Sequence, residues 1–168
     1  MNGRVAGVLI AQVERVDDPM NQGRIFVSFP TFSGSLESTW ASVATPMAGN
    51  DRGFRFTPVV GDECLVAFDR SSADNPYVIG FLHNGVDAPP ALGVDQRMIC
   101  SVNGHLILFE DVAPESGKLG RLVIRDAIGN TIELDNDCMF IRGVGQLHIQ
   151  APIVNINGRS VMAGPGTI

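Results

Sequence analysis

Between about residues 104 and 158, short runs of the chain place aliphatic side chains on one phase and polar ones on the other. In Arg121-Leu122-Val123-Ile124-Arg125, Leu122 and Ile124 share a face against Arg121 and Arg125. The split recurs in Thr131-Ile132-Glu133-Leu134-Asp135, in Leu147-His148-Ile149-Gln150-Ala151 and in Val154-Asn155-Ile156-Asn157. Alternation with a period of two is the mark of a strand with one apolar face. Ribbons this thin cannot bury their own stripe, and isolated two-stranded ribbons are at best marginally stable in water. No helical pattern follows that could cover them. The economical second wall is other copies of the same chain around a common axis. The carboxy-terminal half is therefore expected to be an intertwined trimeric β-prism or β-helix. Leu122, Ile124, Ile132, Leu134, Leu147, Ile149, Val154 and Ile156 would line its core.

Five further strand candidates precede this region, at residues 3–16, 24–29, 39–46, 63–70 and 77–83. The first is apolar on both phases, as for a strand that curls through a barrel and touches core on both sides. Turn-rich stretches separate them: Ser33-Gly34-Ser35, the run from Ala48 to Gly53, and Ser71-Ser72-Ala73-Asp74-Asn75-Pro76. Five strands in about eighty residues is the size of a small closed barrel of the OB type. The whole then reads as an all-β protein. An OB-fold barrel occupies residues 1–84, a linker with Pro89-Pro90 occupies 85–97 as an extended connector, and the trimeric spike region occupies 98–168. Nineteen glycines and ten prolines among 168 residues agree with many short, punctuated segments.

Charge and side-chain chemistry narrow the functions. Eighteen acidic residues against twelve basic ones give a net charge of −6, unsuited to nucleic acid or an anionic membrane surface, whose binding rests on clustered Lys and Arg. The rival function for an OB barrel, binding nucleic acid, needs aromatics interleaved with cations. Phe26, Phe29, Phe32, Trp40, Phe54 and Phe56 are accompanied only by Arg24, Arg52 and Arg55. Cys64, Cys100 and Cys138 form no Cys-x-x-Cys pair and are expected to be buried free thiols, with no disulfide, metal or cofactor. Asp62-Glu63 and Glu110-Asp111 are neighbouring carboxylates, which on a strand point to opposite faces and cannot flank one substrate bond. No catalytic set emerges, and an enzyme is not expected. The apolar run at residues 5–11 alternates with glycine like a strand and leads into Glu14, Arg15, Asp17 and Asp18 without a cleavage site, so synthesis in the cytoplasm as a soluble protein is expected.

Four blocks occur in order: Gly23-Arg24-Ile25-Phe26-Val27-Ser28-Phe29-Pro30; Trp40-Ala41-Ser42-Val43-Ala44 with Met47-Ala48-Gly49-Asn50 and Arg52-Gly53-Phe54; Pro58 through Phe68; and Asn75 through Gly85. Over residues 3–85 this resembles the OB-fold domain of contractile-tail spike proteins, the group that includes phage baseplate assembly protein V and the VgrG proteins of type VI secretion. The resemblance implies that Gly61-Asp62-Glu63 makes a tight turn into the fourth strand and that Asn75-Pro76-Tyr77 feeds the fifth. It also implies a trimeric spike that pierces a target envelope when a sheath contracts, making transient contact with the target membrane. A hub protein would bind the barrel end. Such a spike resides in a virion tail baseplate or an assembled injection particle. Some phage spikes hold iron through a terminal His-x-His motif, where this chain has only Leu147-His148-Ile149. The implied cap is instead a PAAR-type tip protein docked on Gly164, Pro165, Gly166, Thr167 and Ile168.

Overall fold

The computed structural model describes residues 7–31, 36–113, 115 and 117–161. The first four residues of the expected first strand, the turn Ser33-Gly34-Ser35, Phe32 and the tail with Gly164, Pro165, Gly166, Thr167 and Ile168 lie outside them. The chain divides into two units, Met1–Pro90 and Ala91–Ile168.

In the first unit, Leu9, Ala11 and Val13 alternate with Val8, Ile10 and Gln12 along strand β1 (Val8–Arg15), and only the first set turns inward. β1 was expected to meet core on both sides. Instead Val8 and Ile10 are exposed, because a barrel strand has one inner face and its regular pleat sends every second side chain out. β1 pairs antiparallel with β2 (Ile25–Ser28), and β2 with β3 (Thr39–Val43). The short hairpin of β4 (Ala48–Gly49) and β5 (Arg52–Gly53) follows, where sequence alone suggests only a turn. Gly53, at φ +139, permits it, since a Cβ there would collide with the Met47 carbonyl oxygen. Then come β6 (Glu63–Phe68), a single 3-10 turn at Asp69–Ser71, and β7 (Pro76–Leu82).

The barrel closes in the order β1-β2-β3-β7-β6, with β3 and β7 parallel through Ser42 opposite Tyr77 and Val43 opposite Val78. This five-stranded closed order fits an OB domain. Ala11, Val13, Ile25, Val27, Ala41, Cys64, Val66 and Val78 fill the interior, and Phe29 packs on Phe68 with ring centroids 5.8 Å apart. Each buried valine or isoleucine here contributes about 1.5–3 kcal/mol relative to an exposed one. The expected tight turn into β6 is present: Gly61 has φ +103, and the Asp62 carboxylate accepts from the Val59 N–H at 2.9 Å. After β7 the chain is not extended throughout. Asn84 Oδ1 accepts from the N–H groups of Val86 and Asp87, closing a turn inside the expected linker.

The second unit is a meander followed by a lone hairpin. Strands β8 (Gln96–Cys100), β9 (Leu106–Glu110), β10 (Arg121–Arg125), β11 (Thr131–Leu134) and β12 (Met139–Arg142) pair antiparallel in chain order, with β8 and β12 at the edges. β13 (Val154–Ile156) and β14 (Arg159–Val161) form a separate pair around Asn157 and Gly158, both at positive φ, the pairing that a two-residue hairpin loop selects.

The thiols depart from expectation. Only Cys64 is buried; Cys100 ends the edge strand β8, and Cys138 sits in the β11–β12 turn, both exposed. Burial in the barrel pushes the Cys64 thiol up to about 11, with the Asp62 charge adding to the effect. At pH 8 a thiol reagent should therefore modify Cys100 and Cys138 in the native chain and reach Cys64 only after denaturant is added. Prompt modification of Cys64 in the native protein would contradict this core.

Candidate assembly interface

Register decides which side chains of the meander share a face. Ile99 lies opposite Ile107, Ile107 opposite Ile124, Ile124 opposite Ile132, and Ile132 opposite Ile141. One isoleucine from each of five strands thus forms an unbroken row. The next row on the same face runs Arg97, Phe109, Leu122, Leu134 and Met139. Cross-strand neighbours of this kind stand about 4.5–5.5 Å apart and cover each other's flanks. They cannot cover each other's tips. Ile132 stays 37% exposed, Ile124 42%, Ile99 47% and Ile141 53%. Nine apolar side chains in two adjacent rows form the contiguous exposed patch that marks an interaction surface in a folded protein.

The opposite face is built differently. Val123, flanked by Leu108 and Glu133, is 8% exposed. Beside it Arg121 donates to Glu110 at 3.1 Å and to Glu133 at 3.0 Å, and Gln96 donates to Glu110 at 3.2 Å. Both carboxylates hold the Arg121 guanidinium charge above its usual range. Charge neutralised in pairs across three strands suits a surface in water, so the isoleucine side is the one left without cover.

Four of the expected core residues, Leu122, Ile124, Ile132 and Leu134, meet on the isoleucine face. The other four do not join that sheet. Leu147 and Ile149 lie in no strand and are exposed, and Val154 and Ile156 belong to β13. The strand expected at 147–151 is thus absent from the single chain: alternation selects a face, but a strand also needs a neighbour to bond. Sequence reasoning missed Ile99, Ile107, Phe109, Met139 and Ile141 as members of the face. The Met139–Arg142 run is short and apolar on successive residues, so it carries no alternation to detect.

A shallow open depression beside the face is lined by Asp111, Glu110 and Asp135 among others, but each is engaged: Asp111 with Arg97, Glu110 with Arg121, Asp135 with Asn136. Among the described residues no three His, Cys, Asp or Glu side chains cluster closely enough to hold a metal ion. None of the described helical segments is long and apolar enough to cross a membrane.

On the outer wall of the barrel, Phe26 and Trp40 pack edge to face at 5.3 Å, and the guanidinium groups of Arg15 and Arg24 lie over the Trp40 ring at 5.4 and 5.6 Å. These are the aromatic and cationic groups that a stacked base would use. Here the cations already cover the ring and are tied to Asp17 and Asp18. Asp18, whose side chain is 4% exposed, organises the β1–β2 turn. Its carboxylate accepts from the N–H groups of Met20, Gln22 and Arg24 and from the Arg24 guanidinium at 2.7 Å. No sequence motif announces this residue; its role exists only once the turn has formed.

Residues 9–83, nearly the whole barrel and less than half the chain, match the family model of the type VI secretion system/phage-baseplate injector OB domain. No curated protein matches the chain.

The Asp18 cluster has a pH signature. The Arg24 side chain, and then the three backbone N–H groups, hold the Asp18 carboxyl far below the usual carboxylate range. A depressed native pKa against an unfolded value of about 3.9 adds stability that is fully present above that value and lost as pH falls below it. Asp18→Asn should lower the thermal midpoint at pH 7 and flatten its fall on acidification below about pH 4. An unchanged acid limb, followed by thermal unfolding, would remove Asp18 from this role.

Proposed function

We propose that this chain, whose barrel belongs to the injector OB-domain family, is the trimeric central spike of a contractile injection machine. The observation that carries the reading is the uncovered isoleucine row of the β8–β12 sheet. Three such faces turned toward a threefold axis would seal one another, and burying the exposed half of each isoleucine is worth about 1 kcal/mol per side chain. The segment around Leu147 and Ile149 and the β13–β14 hairpin would continue the same axis, gaining from neighbouring copies the strand partners they lack alone. The barrel end would sit on a baseplate hub protein. The carboxy-terminal residues Gly164 to Ile168 would receive a PAAR-type tip protein. The assembled particle, a virion tail baseplate or a related injector, would drive this needle through a target envelope, touching the membrane only in passage.

A mechanical role asks for stiffness rather than chemistry. Interwound strands leave no free edge, and a chain threaded among two others can unfold only by disentangling from them, which makes unfolding slow. The carboxylates tied up in pairs support a structural reading over a catalytic one. The acidic balance and the Asp-tethered arginines over Trp40 weigh against the nucleic-acid alternative.

Light scattering coupled to gel filtration should give three times the 17.9 kDa chain mass, unchanged on dilution. A monomer would end the proposal. Ile124→Asp would place three carboxylates in a dry core, where unpaired charge is costly, and should abolish the trimer. Arg125→Ala, on the opposite phase, should change stability by only about half a kcal/mol. Equal tolerance at the two positions would show that the isoleucine face is not the axis.

A further inference from the structure

Three Asn-Gly steps fall within the described residues: Asn84-Gly85, Asn103-Gly104 and Asn157-Gly158. Such a step can react with itself. The backbone nitrogen of the glycine attacks the asparagine Cγ, the new C–N bond closes a succinimide ring, the Cγ–Nδ2 bond breaks and ammonia leaves. Water then opens the ring at either carbonyl, giving aspartate or isoaspartate. Glycine favours the attack because it brings no Cβ to crowd the incoming nitrogen. The chemistry asks three things of the fold: a side-chain amide free to turn, a glycine N–H not held by an acceptor, and a backbone able to leave its native geometry.

Two of the steps are held. The half-buried Asn84 side chain accepts from the N–H groups of Val86 and Asp87 at 2.8 and 2.7 Å and donates to the Asp87 carboxylate at 3.3 Å, which fixes its amide. At Asn103 the nucleophile is the engaged group, since Gly104 donates its N–H to the Ser101 carbonyl at 2.9 Å. That turn is closed again by the Ser101 N–H on the His105 carbonyl at 2.8 Å and by the His105 N–H on Ser101 Oγ at 3.1 Å. It joins β8 to β9 within the five-stranded sheet.

Asn157-Gly158 differs in each respect. Both residues are exposed, and among the described residues neither the Asn157 side chain nor the Gly158 N–H has a hydrogen-bond partner. They form the loop of the β13–β14 hairpin, whose three residue pairs are bonded to no further strand. A lone two-stranded hairpin is marginal in water and opens locally at little cost. Opening releases Asn157 and Gly158 from their φ values of 50 and 75 and lets the glycine nitrogen swing toward Cγ. A strand laid along β13 or β14 from another copy would bond their edges and leave the loop atoms outside the ladder, so the loop stays free with or without the trimer. Neighbouring Asn155 accepts from Ser160 Oγ at 2.7 Å and is followed by Ile156, whose branched Cβ crowds the attack.

We propose that Asn157 is a site of spontaneous succinimide formation and deamidation, with water as the co-reactant, and that it converts ahead of Asn84 and Asn103. Each event adds one negative charge to a chain that already carries −6. Isoaspartate also routes the main chain through the former side chain, lengthening a loop whose two residues set the twist of the hairpin, which works against the β13–β14 pairing.

The test incubates the purified full chain at pH 8, samples it over time and digests each sample with trypsin. Cleavage after arginine and lysine places the three steps on separate peptides, 71–97, 98–118 and 143–159. The 143–159 peptide should convert from amide to acid several-fold faster than the other two, with fragmentation placing the new acid at position 157. In urea the three rates should converge. Equal rates in the native chain, or a lead for either of the other peptides, overturn the proposal. A lead of the same size in urea also overturns it, because the fold would then not be what selects the site.

Discussion

Strand register is the constraint on which the carboxy-terminal unit depends. Side chains on a strand alternate with a period of two, so a slip of one residue between any two strands of the meander would carry an isoleucine to the wrong face. Five strands need four correct alignments, and the turns supply them. Between β10 and β11 the Asp126 carboxylate accepts from the N–H groups of Ile128, Gly129 and Asn130 and from the Asn130 side chain, while Asn130 Oδ1 accepts from Val144 beyond β12. Near the β9–β10 connection, Asn136 accepts from the Leu119 N–H and donates to the Gly120 carbonyl. Gly120, at φ +88, passes so close to the Glu110 carbonyl oxygen that a Cβ would collide with it. These polar turns determine where the apolar face lies, although none of them is part of it.

The two units hold themselves together by different means. The barrel has an enclosed interior, with Val13, Val27, Val66 and Val78 almost wholly removed from water. The meander has one nearly buried apolar side chain, Val123, and otherwise divides its side chains between a charge-paired face and an apolar one. Apolar burial is the dominant favourable term in folding. In the proposed trimer, a unit that postpones most of it until copies meet would be coupled to assembly in a way that the barrel is not. That division agrees with a needle whose base must be a stable platform and whose shaft need exist only in the assembled machine.

Much of this was legible in the sequence, and what was not has physical reasons. The five barrel strands were readable because turn-forming clusters bracket them, although the ends moved inward, as at β3, which stops at Val43. Leu122 with Ile124, and Ile132 with Leu134, could be read as one face because each run alternates strictly. Ile107 and Ile99 could not be matched to them, since nothing local says which residue of β9 sits opposite Ile124. Leu147 and Ile149 show the converse: perfect alternation with no strand in the single chain. Asp18 and Asp126 were invisible for a third reason. An aspartate followed by four or five ordinary residues is common, and only the closed turn reveals how many donors converge on it.

The outer strands of the meander have a consequence for the single chain. β8 and β12 each present a row of unused backbone donors and acceptors beside an apolar face, the combination that lets sheets grow without limit by adding strands. Arg97 on β8 and Arg142 on β12 put a cation on each of these borders. Arg97, on the isoleucine face, is paired with Asp111, and Arg142 stands on the other face, but a charged side chain on each rim is the kind of feature that blunts an exposed edge against strand addition. The single chain therefore carries charged side chains on its edges, a modest guard against fibre growth, and the proposed trimer would depend on copies meeting through the greasy face before they meet through the rims.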